Sequence, residues 1–331
     1  MGALRRIGWL SIGLVGCGTP APETDGEDPL PPSIATLENP VDPIPLERDL
    51  DPDEVRLGER LFDDPILSGD GSVACRACHL FDKGGADGLA RPRRPHRPEG
   101  AINVPTIFNL EFSYRFNWSA RFGDLESQLD GPMKNPNVMG TDWPDVVSRL
   151  RRSKTYPALF AAIWQDGVTE ANLREAIATY ERSLFTPNAP FDRFLRGERN
   201  AIDARAEAGW ESFKSLGCVS CHQGMNVGGN LVQKFGVMGD YFADRGDVGP
   251  ADLGRFGVTH IESDRHVFRV PSLRNVARTA PYFHDGTAAT LEEAVMQMSR
   301  YQLGRELPPG TVADLVAFLE TLTGEYRGQP L

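Results

Sequence analysis

The chain has 331 residues, of which 40% are hydrophobic, and its 46 acidic and 35 basic residues give a formal net charge of −11. This length suits two domains of ordinary size. The acidity excludes nucleic acid as a partner, because phosphate binding needs clustered Lys and Arg. No apolar run approaches the roughly 20 residues of a membrane-spanning helix, so we expect no integral membrane segment.

The N-terminus has the pattern of a bacterial export signal. Arg5 and Arg6 precede a short apolar stretch, residues 7–16. Residues 14–17 read Leu-Val-Gly-Cys and resemble a lipobox, in which the Cys becomes the lipid-bearing N-terminus. The alternative is an ordinary signal peptide with an incidental Cys. We predict that residues 1–17 are a lipoprotein signal peptide with its lipobox. The protein is then expected on the periplasmic side of a bacterial membrane, anchored only by lipid at Cys17.

The next segment, residues 18–52, is rich in Pro and in acidic side chains. Such a segment buries too little apolar surface to fold, and its prolines keep it extended. We therefore predict a disordered tether that holds the globular part away from the membrane surface.

Beyond the tether, apolar spacing and capping residues predict short helices. The expected helices cover residues 53–62, 169–184, 203–216, 290–301 and 311–322. The fourth has a capping box, formed by Thr290 and Glu293. Residues 80–106 and 223–289 are expected to be long loops, and no segment alternates convincingly as a strand. The predicted fold class is all-α with long loops.

Two Cys-x-x-Cys-His motifs carry the strongest chemical signal. They consist of Cys75, Cys78 and His79, and of Cys218, Cys221 and His222. This spacing is typical of c-type haem attachment, where two thiols bind the two vinyl groups on one porphyrin edge and the adjacent His ligates the iron. A zinc site would need four such ligands grouped together, and a redox dithiol does not require the following His. We predict two covalently bound haems.

The order of helix, Cys-x-x-Cys-His and loop occurs at residues 53–80 and again at 203–222. This loose duplication predicts two similar domains, residues 53–200 and 201–331, with one haem in each. The second axial ligand decides the role of each haem, because His or Met closes the iron for electron transfer whereas an open position permits chemistry. Spacing alone does not choose among the candidates. These are the Met residues and His96, His260, His266 and His284.

Several longer motifs accompany the haem sites. They include Ile102-Asn103-Val104-Pro105-Thr106, Gly131-Pro132-Met133-Lys134-Asn135-Pro136, Val270-Pro271-Ser272-Leu273-Arg274-Asn275 and Thr279-Ala280-Pro281-Tyr282-Phe283-His284-Asp285-Gly286. With them the chain resembles the bacterial di-haem cytochrome c peroxidase family from about residue 53 to 325. That family is related to di-haem enzymes that oxidise protein side chains. The resemblance implies two cytochrome c-like domains, and an enzyme that reduces hydrogen peroxide to water with electrons from a small c-type cytochrome or cupredoxin.

The resemblance also implies roles for individual residues. In the N-terminal domain, His79 would ligate the low-potential peroxidatic haem and His96 would be its displaceable distal ligand. Gln128 would lie in the distal pocket, where a further acid–base group helps to cleave the O–O bond. Trp118 matches a Trp that lies between the haems and helps electrons to pass.

In the C-terminal domain the resemblance implies a high-potential haem that receives the electrons, ligated by His222. Its Met ligand lies fourteen residues after His284, which selects Met298 over the competing Met296. His284 itself is expected to be structural.

Members of the family also hold Ca²⁺ between the domains, and the matching positions are Asn103, Thr279 and Pro281. Oxygen ligands of this kind suit Ca²⁺. Many members are dimers, so a homodimer is an open expectation for this chain.

The match fails at one position. The distal pocket of the family contains a Glu as well as the Gln, and Val138 stands at the Glu position. Valine cannot transfer protons, so another group or a water must replace the Glu, or the enzyme is slow, or the haems serve another oxidation. Two further functions therefore stay open, a di-haem oxidase acting on a partner protein and a non-enzymatic electron carrier. Met298 argues against the oxidase, in which Tyr usually takes that axial position.

Overall fold

Two pairs of crossed helices, one in each half of the chain, organise the fold. The computed structural model describes residues 39–93 and 98–331. The helices are α1 (Pro52–Phe62), α2 (Leu125–Gln128), α3 (Asp130–Lys134), α4 (Trp143–Arg152), α5 (Tyr156–Ile163), α6 (Glu170–Ser183), α7 (Pro190–Leu195), α8 (Ala204–Ser215), α9 (Tyr241–Arg245), α10 (Phe256–Thr259), α11 (Leu291–Gln302) and α12 (Pro309–Glu320). The strands are β1 (Val232–Lys234), β2 (Val267–Arg269), β3 (Glu325–Tyr326) and β4 (Gln329–Pro330).

The first crossing joins α1 to α6. Asp51 caps α1 and Thr169 caps α6, each accepting hydrogen bonds from backbone N–H groups of the first turn. The helices meet at Gly58, where a Cβ atom would lie 2.0 Å from the carbonyl oxygen of Ala176 and 2.6 Å from the Cβ of Tyr180. Only a residue without a side chain permits this approach.

The second crossing repeats this arrangement with α8 and α12. Asp203 caps α8 by accepting a hydrogen bond from the N–H of Ala206. A Cβ atom at Gly209 would lie 2.0 Å from the carbonyl oxygen of Asp314 and 2.8 Å from the Cβ of Phe318. In both halves, therefore, a helix that precedes a Cys-x-x-Cys-His motif crosses a later helix at a glycine, beside an aromatic residue.

Each crossing has its own apolar cluster. Leu150 and Leu173 are fully buried in the N-terminal cluster, which α4 and α5 complete. In the C-terminal cluster, the ring centroid of Phe191 lies 4.9 Å from those of both Trp210 and Phe318. Burial of side chains of this size is worth about 1.5–3 kcal/mol each. These clusters fix the helix pairs that carry the two motifs.

Strands contribute little. β1 pairs with β2 in an antiparallel ribbon with Val232 opposite Arg269, and β3 pairs with β4 with Glu325 opposite Pro330. The fold is thus helical with little sheet, as the sequence predicts. Among the described residues, no helix combines the length and the apolar character needed to cross a bilayer.

Seven helices of the described residues are missing from the sequence-based prediction, namely α2, α3, α4, α5, α7, α9 and α10, and the last two lie in the segment 223–289, expected to be a long loop. α4, α5 and α7 each have Pro in the first turn, where its missing N–H has no helical partner to lose. The same signal corrects the last helix, because α12 begins at Pro309 and not at Thr311. The predicted helices at α1, α6, α8 and α11 are confirmed, and so is the capping box of Thr290 and Glu293.

The prediction of a disordered tether as far as residue 52 is wrong for its C-terminal part. Val41 and Ile44 are fully buried, and the carbonyl oxygen of Asp42 accepts a hydrogen bond of 2.9 Å from Arg274. An extended Pro-rich segment can pack in this way because side chains from elsewhere in the fold satisfy its backbone. Residues 18–38 lie outside the described residues.

Candidate haem-binding sites

Both Cys-x-x-Cys-His motifs fold into the same turn. In the first, the N–H groups of Cys78 and His79 both donate to the carbonyl oxygen of Cys75, each at 3.1 Å. The second motif repeats the pattern, with the Cys221 and His222 N–H groups at 3.2 and 2.9 Å from the carbonyl oxygen of Cys218. None of the four cysteines forms a disulfide within the described residues, and all four are partly buried. One tight turn therefore brings two thiols and an imidazole to the same end of each helix pair.

The two histidines are held in the orientation that an iron ligand requires. Nδ1 of His79 lies 2.9 Å from the carbonyl oxygen of Gly85, and Nδ1 of His222 lies 3.3 Å from that of Val227. A proton on Nδ1 donates to the carbonyl and leaves Nε2 free to bind a metal. Burial lowers the pKa of both imidazoles, that of His222 to about 4, which keeps them neutral.

The thiols have the wrong chemistry for a redox dithiol. Burial raises the pKa of the Cys75 thiol to about 12 and that of Cys218 to about 11. A reactive dithiol needs a lowered thiol pKa. Zinc is also disfavoured. Among the described residues, one group of three His, Cys, Asp or Glu side chains lies at metal-binding distance, and its members are Asp252, His284 and Asp285. This group lies outside both motifs, whereas a zinc site would group their Cys and His ligands. The environment instead suits thioether attachment in an apolar pocket.

A cavity of about 470 Å³ adjoins the second motif. Its lining includes Cys218, Cys221, His222 and apolar side chains of α8, α11 and α12. Met298 on α11 lines the same cavity, whereas Met296 is 51% exposed and does not. The volume and the apolar walls are those of a cofactor pocket.

A buried cation also faces this cavity. Arg269 in β2 is 4% exposed and lines the cavity wall. Its Nε donates to the carbonyl oxygen of Asn117 at 3.3 Å, and within the described part of the chain no carboxylate forms an ion pair with it. Burial alone lowers the pKa of Arg269 to about 10, so it stays charged at neutral pH. An uncompensated buried cation is costly, and a haem, with its anionic propionates, fits the cavity for this reason.

Trp118 connects the surroundings of the two motifs. It lines the cavity, and its indole N–H donates to the carbonyl oxygen of Asn103 at 2.9 Å. Ile107 lies four residues after Asn103, and its N–H donates to the carbonyl oxygen of Gly85 at 3.3 Å. This carbonyl also holds the imidazole of His79, so one short segment of chain links the first haem ligand to the second cavity.

The residues matched to the calcium site lie together. Asn103, Thr279 and Pro281 all line the cavity. The amide nitrogen of Asn103 lies 2.8 Å from the carbonyl oxygen of Leu89 and 3.5 Å from that of Pro281. A calcium ion would need the amide to turn and present its oxygen beside these carbonyls. The donor set is neutral oxygen, which fits Ca²⁺ without a carboxylate.

Two positions matched to the distal pocket, Val138 and Gln128, lie in the N-terminal half of the described structure. Val138 and Cys75 pack against the same apolar cluster. Gln128, at the end of α2, hydrogen-bonds to the carboxyl of Glu181 on α6. His96 and Cys17 lie outside the described residues.

Comparisons with known proteins identify the family. A sequence profile described as di-haem cytochrome c peroxidase matches residues 52–200. The cytochrome c peroxidase Ccp of Escherichia coli is 40% identical over 288 residues, which are 87% of this chain and 62% of that protein. The cytochrome c551 peroxidase of Nitrosomonas europaea is 39% identical over 293 residues, 88% of this chain and 86% of that protein. This chain belongs to the di-haem cytochrome c peroxidase family.

A solved structure supports the fold of this family. The MauG-like protein associated with microbial copper homeostasis aligns with a TM-score of 0.74 at 26% sequence identity, covering 92% of this chain and 96% of that one. Membership of the di-haem cytochrome c peroxidase family implies two c-type haems, and the two matching turns provide the residues for them.

Sequence reasoning missed two residues of this di-haem scaffold. Glu181 is 3% exposed, and it follows Leu173 and Ile177 at four-residue spacing on the apolar stripe of α6. Arg269 is the last residue of β2 and stands between the buried residues Phe268 and Val270. Both residues could have been found from the sequence, because a charged residue within an apolar pattern predicts a buried charge that needs a partner.

Proposed function

We propose that the protein is a cytochrome c peroxidase that reduces hydrogen peroxide to water with electrons from a small periplasmic redox protein. The observation that carries the proposal is the pair of matching turns, each with an Nδ1-anchored histidine, of which the second faces a cavity shared with a methionine. A haem attached at each turn supplies one-electron chemistry and, where its iron is open, a site that binds peroxide.

The C-terminal half is the proposed site of electron entry. Cys218 and Cys221 would hold the haem, and His222 would ligate its iron. Met298 is the second ligand, supported by its place in the cavity wall and by the exposed position of Met296. A His and Met pair closes the iron and raises its reduction potential, which suits a centre that only receives and passes electrons.

The N-terminal half is the proposed peroxidatic site. Cys75 and Cys78 hold its haem and His79 ligates the iron. We assign His96 as the displaceable distal ligand. Gln128 offers an amide that can hold and orient peroxide, and its hydrogen bond to Glu181 fixes the direction of that amide.

Trp118 and the calcium site belong to the connection between these centres. The indole lies in the wall of the second cavity and is tied by its hydrogen bond to the segment that supports His79. Calcium held by the Asn103 side chain and the carbonyls of Thr279 and Pro281 would fix the same segment. Chelation should then remove calcium from the wild type, and Asn103→Ala should purify with less calcium at unchanged haem content.

The remaining assignments concern location and partners. The signal peptide and lipobox at residues 1–17 place the protein on the periplasmic side of the membrane, anchored at Cys17. The two cytochrome c-like domains are residues 53–200 and 201–331, which the two glycine crossings support. The electron donor is a small c-type cytochrome or a cupredoxin, and the protein forms a homodimer. Fatty-acid labelling that persists in Cys17→Ala would disprove the anchor, and sedimentation tests the dimer.

The function is tested by peroxide-dependent oxidation of a reduced small cytochrome c. Two donor molecules should be oxidised for each peroxide consumed. Peroxide consumption that oxidises side chains of a partner protein, and not the cytochrome, would indicate the di-haem oxidase. No reaction with peroxide would indicate a non-enzymatic electron carrier. Met298→Ala should lose the red-region absorption band of a Met–iron bond, while the matched variant Met296→Ala should keep it.

A further inference from the structure

Glu181 is the most deeply buried acidic side chain near the first haem motif. It is 3% exposed, and its Oε2 atom has no hydrogen-bond partner among residues 39–93 and 98–331. Burying a carboxyl group with an unsatisfied oxygen costs free energy. A side chain kept in this position needs an explanation beyond the packing of α6.

The interactions of Glu181 connect it to two residues assigned to the peroxidatic site, Gln128 and Cys75. The amide of Gln128 hydrogen-bonds to its carboxyl group. The thiol of Cys75, one of the two haem-attachment sulfurs, feels the Glu181 charge, which contributes to the raised thiol pKa. Val138 packs on the same apolar cluster as Cys75. The carboxyl group therefore lies beside Gln128, which is assigned to the distal pocket, and within electrostatic reach of Cys75.

The cation next to Glu181 in the chain, Arg182, already pairs with other carboxylates. Arg182 pairs with Glu126 on α2 and with Glu175 one turn earlier on α6. From α1, Glu54 contacts Thr179, and from the 3₁₀ turn Leu110–Phe112 the Glu111 charge acts on Arg182. No cation among the described residues forms an ion pair with Glu181, so burial dominates and raises its pKa to about 8. An acid–base group works best when its pKa lies near the operating pH.

We propose that Glu181 is the acid–base residue of the peroxidatic site and replaces the carboxylate missing at Val138. The proposal rests on the proposed function. The Glu181 carboxylate accepts the proton from the near oxygen of a peroxide oriented by Gln128, and returns it to the far oxygen as the O–O bond breaks and that oxygen leaves as water. Two electrons from the donor protein and two protons from solvent complete the balance, so that one hydrogen peroxide yields two waters.

The test uses the holoenzyme with both haems. Glu181→Gln keeps the shape of the side chain but cannot transfer a proton, and it should lower kcat/KM for peroxide by about 10²-fold or more. The wild type should show an ionisation near pH 8 in the pH profile, with turnover rising with pH because the carboxylate is the base, and the variant should lose it. Glu170→Gln, at the exposed start of the same helix, is the matched control and should behave as the wild type.

A second measurement does not depend on turnover. Infrared difference spectra recorded below and above pH 8, without peroxide, should show the band of a protonated carboxyl group disappear as pH rises. The band should be absent in Glu181→Gln and present in Glu170→Gln. Adding Val138→Glu to Glu181→Gln should restore turnover, while Val138→Glu alone should change it little. If Glu181→Gln does not retain two haems, the wild-type infrared titration decides by itself.

The outcomes separate the two claims. If the wild type turns over peroxide and Glu181→Gln has the same rate and pH profile, the role of Glu181 is refuted and the peroxidase function stands. A wild type without any carboxyl band that titrates near pH 8 refutes the role as well. A wild type that does not consume peroxide refutes the function, and the role of Glu181 with it.

Discussion

The glycine crossings give a stability prediction that follows directly from atomic distances. In Gly58→Ala the new Cβ atom would lie 2.0 Å from the carbonyl oxygen of Ala176, whereas ordinary contacts begin near 3.4 Å. Two helix backbones meet here, so no side-chain rotation can relieve the clash and α1 must move away from α6 by more than 1 Å. Overpacking of this kind costs about 1–3 kcal/mol. We expect about 2–3 kcal/mol, which lowers Tm by roughly 4–12 °C.

The second crossing and a matched control sharpen this prediction. Gly209→Ala should be as harmful, because its Cβ atom would also lie 2.0 Å from a backbone oxygen, that of Asp314. Gly310 lies in α12, and a Cβ atom there would meet no neighbouring atom within 4 Å. Gly310→Ala should therefore be neutral or stabilise by up to about 1 kcal/mol.

The assay is thermal unfolding of holoprotein, followed by circular dichroism at matched haem content. Equal melting temperatures for Gly58→Ala and Gly310→Ala would show that the helices can separate freely, and the reasoning from close approach would be wrong. Loss of one haem in Gly58→Ala but not in Gly310→Ala would indicate that the crossing also positions the first motif.

Three further predictions concern buried charges. Asp192 and Arg274 form a fully buried ion pair with a distance of 2.7 Å, so Asp192→Ala should cost about 3–5 kcal/mol in urea unfolding, and a loss below 1 kcal/mol would contradict the pairing. Arg269→Gln should lower the reduction potential of the second haem in a redox titration, because a buried cation favours the reduced form. An unchanged potential would show that the charge of Arg269 does not act on this haem. The folded-state pKa of Glu181 is raised to about 8, so the native state keeps a proton that the unfolded chain releases above about pH 4; stability should therefore fall as pH rises from about 4 to 8, and Glu181→Gln should remove that part of the slope.

The two haem motifs could be predicted completely from the sequence because their geometry is local. Cys75 and His79 are four residues apart, and a single turn of backbone brings them together whatever surrounds it. The capped helices were equally accessible, since Thr290 and Glu293 satisfy the first turn of α11 without help from distant residues.

The sequence is misleading where local composition and long-range packing disagree. The prolines around Val41 and Ile44 predict an unfolded segment, but both side chains are buried, and the backbone of Asp42 and Ile44 bonds to residues more than a hundred positions away. Pro is also common in loops, so Pro in the first turn of α4 and of α7 does not by itself predict a helix. The apolar residues against which these helices pack are not adjacent in the chain, and the neighbouring sequence therefore does not reveal them.

The sequence by itself determined that the protein carries two Cys-x-x-Cys-His haem sites on a helical scaffold, because those features depend on neighbours within a few residues. Only the tertiary structure brought Met298 into the cavity of His222, buried Arg269 there with no ion-pair partner in the described part of the chain, and placed Glu181 beside Gln128 and away from solvent. Those relations depend on how helices distant in the chain cross, and the free energy that fixes the crossings comes from burial of the apolar clusters, which two glycines allow to pack closely.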